Sequence, residues 1–389
     1  MEMRRLTAND YDELLDMLNS VFANKYGRAM DFLAEQPRMW VRSDEYMSKH
    51  IGIFDGERLA AVVGIYPLPT KIGDASLLFA TTGNVATRPE YEGRGYFTKI
   101  FTEIMAEADR TGVAVSRLGG GRQRYGRYGF EPAGTAYRFS ITSDNRVKFF
   151  GDAGADIEFC EISSEDGEIL EFCRRLRHER KIHVTRNSGD VYAYLTTKHS
   201  TPYVAMRGGK PIGYLSAYNS NQFVGRSLNG VHISEICADR GVMIADIVCA
   251  WQRRVNAIID FSLPAYMSED VMLFCAAAQS VDIGAPSHFR VHDYVGLSDA
   301  LMKLKASYTR LAKGECVIGI KDYGNLRLYV GENGAGATMT EDAAEITVDK
   351  SVATRLLFGP TSAEAVADVP DMLKLWLPLP LAWDGLDYV

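Results

Sequence analysis

Apolar and polar positions along this chain fall into strand and helix periods that alternate, and the clearest succession lies between residues 77 and 130. Residues 77 to 87 (LLFATTGNVAT) run β-branched and apolar together, as a buried strand does. Past Gly95 the apolar positions are Phe97, Ile100, Phe101, Ile104, Met105 and Ala108, the i, i+3, i+4, i+7 spacing of one helix face. Val113 to Leu118 predicts the next strand. Upstream, Met1 to Leu6 predicts a first strand, and Thr7 or Asn9 can cap a helix with Tyr11, Leu14, Leu15, Leu18, Val21 and Phe22 on one side. Residues 24 to 46 predict a second helical piece, with Trp40 in core rather than pocket. Ile51 to Phe54 and Arg58 to Tyr66 flank Asp55-Gly56, a pair suited to the positive φ angles of a tight hairpin. Ala136 to Ile141 is expected to close this first sheet.

From about residue 145 the pattern partly repeats. Tyr203 to Met206 and Pro211 to Tyr218 predict a second hairpin, and Leu228 to Ile236 a further strand. A helix then carries Ile244, Ile247, Val248, Trp251, Val255 and Ile258 on one face. A third unit is expected from Pro286: Phe289-Arg290-Val291, a helix around Leu301, Leu304, Tyr308 and Leu311, and strands at 315 to 321, 325 to 330 and 344 to 349. The predicted units are therefore 1–144, 145–285 and 286–389, in an α/β to α+β fold with mixed central sheets. A length of 389 residues suits two or three domains at roughly 150 residues each. The last stretch, Leu377 to Val389, is unusually apolar for a chain end. Covering Leu377, Leu379, Leu381, Trp383 and Leu386 would stabilise the fold by about 1.5 to 3 kcal/mol each and give the final carboxylate a fixed address.

Composition narrows the function classes. Apolar residues make up 47% and charged residues 24%, as in ordinary globular proteins, so disorder is not expected. A formal net charge of -7 argues against a nucleic-acid surface and tilts the protein toward cationic small partners. The six cysteines are spread singly without a Cys-x-x-Cys pair, and the seven histidines show no ligand spacing, so no metal site is predicted. None of the histidines stands at a motif that would make it a catalytic base. The first twenty residues are too acidic for a secretion signal and no run approaches the ~18 apolar residues that span a membrane, so a cytoplasmic location is expected.

The candidate chemistry sits at the glycine loop. Gly93-Arg94-Gly95 at a helix's first turn leaves backbone N–H groups pointing outward at the positive end of the helix dipole, where phosphate is favoured. Neither Gly-x-Gly-x-x-Gly nor Gly-Lys-Ser/Thr is present, so the dinucleotide and P-loop motifs are excluded. Val85 with Glu92-Gly93-Arg94-Gly95-Tyr96-Phe97 resembles the pyrophosphate loop of the GCN5-related N-acetyltransferases. Glu92 stands where Arg or Gln is usual, and Phe97 where a small residue is usual. Tyr125-Gly126-Arg127-Tyr128-Gly129-Phe130 in turn resembles a stretch of the Eis (enhanced intracellular survival) branch.

That resemblance implies two tandem acetyltransferase folds followed by a unit similar to a sterol carrier protein, including Leu356-Leu357-Phe358-Gly359. The second fold, whose helix begins after Cys237-Ala238-Asp239-Arg240-Gly241, has no room for the glycine cradle and is expected to have lost its cofactor site. Acetyl-CoA is the implied co-substrate, bound by Val85, Ala86, Thr87, Gly93, Arg94, Gly95, Tyr96, Phe97, Thr98, Gly120 and Gly121. Tyr125 is the implied general acid, with Tyr128 its local competitor, and the terminal carboxylate of Val389 the implied general base. The implied acceptor is a primary amine on a cationic molecule such as an aminoglycoside, a polyamine or a lysine side chain. Asp384 and Asp387 either hold such a polycation or stand in solvent. A homo-oligomer, commonly a hexamer, is also implied. The rival reading is a non-catalytic protein that binds coenzyme A, or that carries apolar ligands in the sterol-carrier-like unit.

Overall fold

The computed structural model describes residues 1–219 and 230–388. The first seven strands are β1 (Glu2–Arg5), β2 (His50–Asp55), β3 (Arg58–Ile72), β4 (Ala75–Thr87), β5 (Val113–Leu118), β6 (Glu131–Ala133) and β7 (Ala136–Ile141). A mixed sheet runs β1-β2-β3-β4-β5, then Ser287–Val291, then β6, with Ile182–Val184 beside the far end of β3. Among the described residues only β4 and β5 are parallel in it, and the helix Tyr96–Arg110 makes the crossover between them. That helix buries Ile100, Phe101, Ile104, Met105 and Ala108 against one sheet face. On the other face the helix Tyr11–Tyr26 lays Leu14, Met17 and Leu18 against Phe54, Leu59 and Val62.

The second sheet runs Ser280–Gly284, β7, Ile258–Pro264, Gly230–Ala238, Lys210–Asn219, Thr201–Arg207, Ile157–Glu161. It repeats the strand, helix, parallel strand succession of the first, through the helix Ile244–Val255. The third sheet, Gly334–Thr340, Gly324–Gly331, Gly314–Ile320 and Ile346–Val348, packs against the helix Tyr294–Ala306 and shares one core with the far end of the first sheet.

Strand pairing crosses the expected boundaries at 144 and 285. Ala136–Ile141 does not close the first sheet; it pairs with Ile258–Pro264 and Ser280–Gly284, because Phe139 and Ile141 pack with Phe261 and Phe274. Ser287–Val291 does not open the third unit; it lies between β5 and β6, where Phe289 joins Phe79 and Val115. Residues 24 to 46 do not form one helical piece; they take in the end of Tyr11–Tyr26, the short helices Phe32–Glu35 and Pro37–Met39, and the start of Asp44–Met47. Tyr308 and Leu311 lie beyond the end of Tyr294–Ala306. The strand expected from Leu228 is described from Gly230, and residues 228 and 229 lie outside the described residues.

The tail is buried as its pattern predicts: Leu377, Leu379, Leu381, Trp383 and Leu386 are all core residues, with Trp383 stacked on Phe79 at 6.1 Å. Val389 lies outside the described residues.

Candidate active site

The parallel pairing of β4 with β5 runs from Leu78 opposite Val113 to Thr82 opposite Leu118 and stops. Gly83 to Thr87 therefore keep β3 on one edge and, among the described residues, have no strand on the other. Within that free stretch Val62 pairs with Ala86 and Gly64 with Gly83, so Asn84 and Val85 together stand opposite Val63. This is a β-bulge, with Asn84 at φ 51°, and a bulge turns backbone groups out of the ladder direction. Val85, Ala86 and Thr87, three of the expected cofactor contacts, line this opening.

A short turn beyond, Gly93 and Gly95 sit at φ 75° and 76°, the left-handed region that a side chain disfavours. Neither has an atom within 4 Å of where a Cβ would be, so conformation and not crowding calls for glycine there. Gly95 is the N-cap of Tyr96–Arg110, with no side-chain cap and no acid in the first turn. The N–H groups of that turn are thus unclaimed by side chains and face the side on which the two strands part. Gly93, Arg94, Gly95 and Thr98 are exposed, and Tyr96 and Phe97 half-buried. Arg94 folds back, donating to the Glu90 carbonyl at 3.0 Å. Arg124 lies over the Phe97 ring at 5.3 Å, and Arg127 donates to the Tyr128 hydroxyl at 3.1 Å. Three guanidinium groups thus surround the mouth.

Phe97 explains itself as one of a packed aromatic group. It meets Tyr125 edge-on at 5.9 Å and Tyr128 at 5.8 Å, while Phe101 contacts Tyr125, Tyr128 and Phe130. Tyr125 is buried, and a Cβ on Gly120 would overlap its ring, so Gly120 is the seat against which the phenol lies. Gly121 has open space around it. Among the described residues the Tyr125 hydroxyl has no hydrogen-bond partner, and burial holds its pKa above the ordinary phenol value, so it is a protonated acid at neutral pH. Tyr128 differs: its hydroxyl donates to Thr98 Oγ1 at 3.2 Å in the helix's first turn.

Several side chains at this opening escaped the sequence reading. The Asn84 amide donates to the Tyr66 hydroxyl at 2.7 Å, and that hydroxyl lies 2.6 Å from His50 Nε2. His50 Nδ1 is 3.2 Å from the Met47 carbonyl, which assigns the proton to Nδ1 and makes Tyr66 the donor to Nε2. Burial lowers the His50 pKa to about 4, so the ring is neutral. Thr82 Oγ1, Asn84 Oδ1 and Arg117 Nη2 are buried without a partner at this same place. Asparagine is uncommon in a strand, and an arginine within Val-Ala-Val-Ser-Arg-Leu breaks an apolar run; both were available signals.

The tail approaches from the second unit. Asp387 is buried between Arg177 at 2.8 Å and Arg186 at 2.8 Å, both of which also reach Glu235, and Asp384 lies 2.5 Å from Arg177. Asp384 and Asp387 are therefore both engaged by arginines rather than free in solvent. Gly385 packs on the Ser234 carbonyl, where Gly230–Ala238 has already parted from Ile258–Pro264, so the tail occupies the second copy's counterpart of the β4–β5 opening. Tyr388 ends the described tail beside Arg117, whose neighbour Leu118 is the last β5 residue paired to β4.

Residues 2–133 match the model of the acetyltransferase (GNAT) domain. No curated protein matches the chain. Among solved structures, a conserved protein of unknown function from Enterococcus faecalis V583, described as a probable N-acyltransferase, is 18% identical over 100% of this chain and 99% of its own, with a TM-score of 0.69. A GCN5-related N-acetyltransferase from Kribbella flavida is 16% identical over 100% of both chains, with a TM-score of 0.65. Eis1 from Mycobacterium abscessus is 13% identical over 99% of this chain and 98% of its own, with a TM-score of 0.66. At these identities the likeness shows the fold alone, one that this chain shares with these structures along nearly its whole length. The domain match makes residues 2–133 an acetyltransferase domain of the GNAT type. Among the described residues no group of His, Cys, Asp or Glu could hold a metal ion, and no helix is long and apolar enough to cross a membrane.

Proposed function

We propose that the GNAT domain of this chain moves an acetyl group from acetyl-CoA to a primary amine by direct attack. The observation that carries this reading is the coincidence, among the described residues, of an acid-free helix mouth, a strand edge left open beside it, and a buried tyrosine without a hydrogen-bond partner on the adjoining wall. The first-turn N–H groups of residues 93 to 98 would hold the pyrophosphate, and the free edge of Gly83–Thr87 would pair with the pantetheine amides as a strand does. A backbone N–H at the Asn84-Val85 bulge would polarise the thioester carbonyl, and preorganised N–H donors of this kind stabilise the developing oxyanion.

In the transfer itself, the amine nitrogen bonds to the carbonyl carbon while its proton passes to a base, and the carbon–sulfur bond then breaks as the thiolate takes the Tyr125 proton. The Val389 carboxylate is the proposed base. What supports it is the tail: its apolar residues are buried, and its last described residue, Tyr388, lies against Arg117 of β5. The acceptors to try first are lysine, polyamines and aminoglycosides. The sterol-carrier likeness of residues 286–389 is kept as a proposal about architecture alone.

The test is thiol release from acetyl-CoA with these amines, in the unaltered protein, in Tyr125→Phe, and in a form with one residue added after Val389. Both changes should lower kcat by about 10² or more while leaving acetyl-CoA affinity within about twofold, as expected for loss of one acid–base group. No thiol release with any amine would sink the reading, and indifference to both changes would remove the two assigned roles.

A further inference from the structure

Three cations converge on Tyr388. Arg117 is wholly buried; its Nε donates to Ser287 Oγ at 2.8 Å and Nη1 to Thr81 Oγ1 at 3.2 Å, both neutral acceptors, and Nη2 has no acceptor among the described residues. A buried guanidinium ordinarily has a carboxylate, and Asp387, whose field reaches Arg117, is already bonded to Arg177 and Arg186. The Tyr388 ring lies 3.6 Å from the Arg117 guanidinium carbon and 3.8 Å from the Lys198 ammonium. Lys198 holds a left-handed backbone, φ 58° and ψ 42°, which a side-chain-bearing residue adopts at a cost, and its amine makes no hydrogen bond among the described residues. Arg38 donates to the Tyr388 carbonyl, and its Nε is buried without a partner. The acid whose field reaches Lys198 is Glu35, which Arg28 and His199 already approach at 3.3 Å and 3.5 Å. Positive charge here exceeds the negative charge provided by the described side chains.

We propose that Arg38, Arg117 and Lys198 form a carboxylate seat where β4 and β5 part. Its use rests on the transferase reading above. Two carboxylates share the chemistry: the one carried by Val389, next in the chain to Tyr388, and one borne by the acceptor beside its amine. In the first case the cations are positioning residues for the proposed base. In the second they select an amino acid over a polycation, since the acids that would have held a polycation are engaged elsewhere.

The experiment compares protein ending in the Val389 acid with protein ending in the amide, made by ligation. Thermal melting of each is followed without coenzyme, then with lysine or cadaverine and with tyrosine or tyramine, pairs that differ by one carboxylate. All measurements are repeated in Lys198→Gln and Lys198→Arg. If the seat holds the chain's own carboxylate, the acid form melts above the amide, the gap closes in Lys198→Gln and persists in Lys198→Arg. If it holds the acceptor's, each amino acid binds about tenfold or more tighter than its decarboxylated partner, a preference lost in Lys198→Gln and restored in Lys198→Arg. Equal melting of acid and amide, together with equal binding within both pairs, overturns the seat. Acetyl transfer measured alongside separates the two ideas: transfer without either preference leaves the enzyme reading and removes the seat, and a preference without transfer does the opposite.

Discussion

At the scale of single residues, the site depends on close approaches that one methyl group would disturb. Gly120→Ala would push the Tyr125 ring off its seat, because the added Cβ overlaps that ring and also crowds the Leu118 side chain. We expect a fall in kcat of about 10-fold or more with little change in acetyl-CoA affinity, since misplacing one proton donor affects the chemical step more than binding. Steady-state kinetics with a fixed amine reads the split. Tyr66→Phe removes the hydroxyl that Asn84 donates to and that donates to His50, leaving the buried Asn84 amide and His50 Nε2 only their long 3.3 Å contact with each other. The expected loss is about 1 to 3 kcal/mol of stability, measured by chemical denaturation. Neither relationship is visible in linear sequence, where Gly120 is one of three successive glycines and Tyr66 one of twenty tyrosines.

At the scale of elements, the helix Tyr96–Arg110 illustrates how one feature serves stability and binding in opposite senses. Its first turn carries no acid, although an acid there would favour the helix dipole by about 0.3 to 1 kcal/mol. Thr98→Asp should therefore leave the melting temperature unchanged or slightly raised, yet raise KM for acetyl-CoA by about tenfold, because the new carboxylate faces the phosphates. A lowered KM in this variant would rule out phosphate at the helix mouth. Periodicity located this helix, β4 and β5 well, since each buries a continuous apolar face. It failed for the partners of Ala136–Ile141 and Ser287–Val291. Both are short alternating strands, and alternation specifies that one face is covered without specifying which sheet covers it.

At the scale of the whole molecule, the tail ties the three sheets together through charge as well as apolar burial. Arg177, Arg186, Glu235 and Asp387 are all buried, and the two arginines hold the Asp387 carboxyl well down, at about 2. A carboxyl whose folded pKa lies below its unfolded value stabilises the fold above that unfolded value and loses the contribution as pH falls toward the folded one. The share of stability due to Asp387 should thus be constant above pH ~5 and disappear as pH falls from ~4 to ~2. Asp387→Asn should flatten that limb of the melting curve and cost about 3 to 5 kcal/mol at neutral pH, as breaking one member of a buried ion network does.

The sequence by itself determined the local elements, the glycine-opened helix mouth, the aromatic run from Tyr125 to Phe130, and the burial of the apolar tail. Each of these is set by neighbouring residues: period, φ preference, or a density of apolar side chains that water disfavours. Only the tertiary structure decided which sheet received β7 and Ser287–Val291, that Asp384 and Asp387 are engaged by Arg177 and Arg186, and that Arg38, Arg117 and Lys198 meet at Tyr388. Those outcomes rest on residues up to 350 positions apart, whose charges and shapes become partners only after the chain has folded, so no spacing rule along the sequence could encode them.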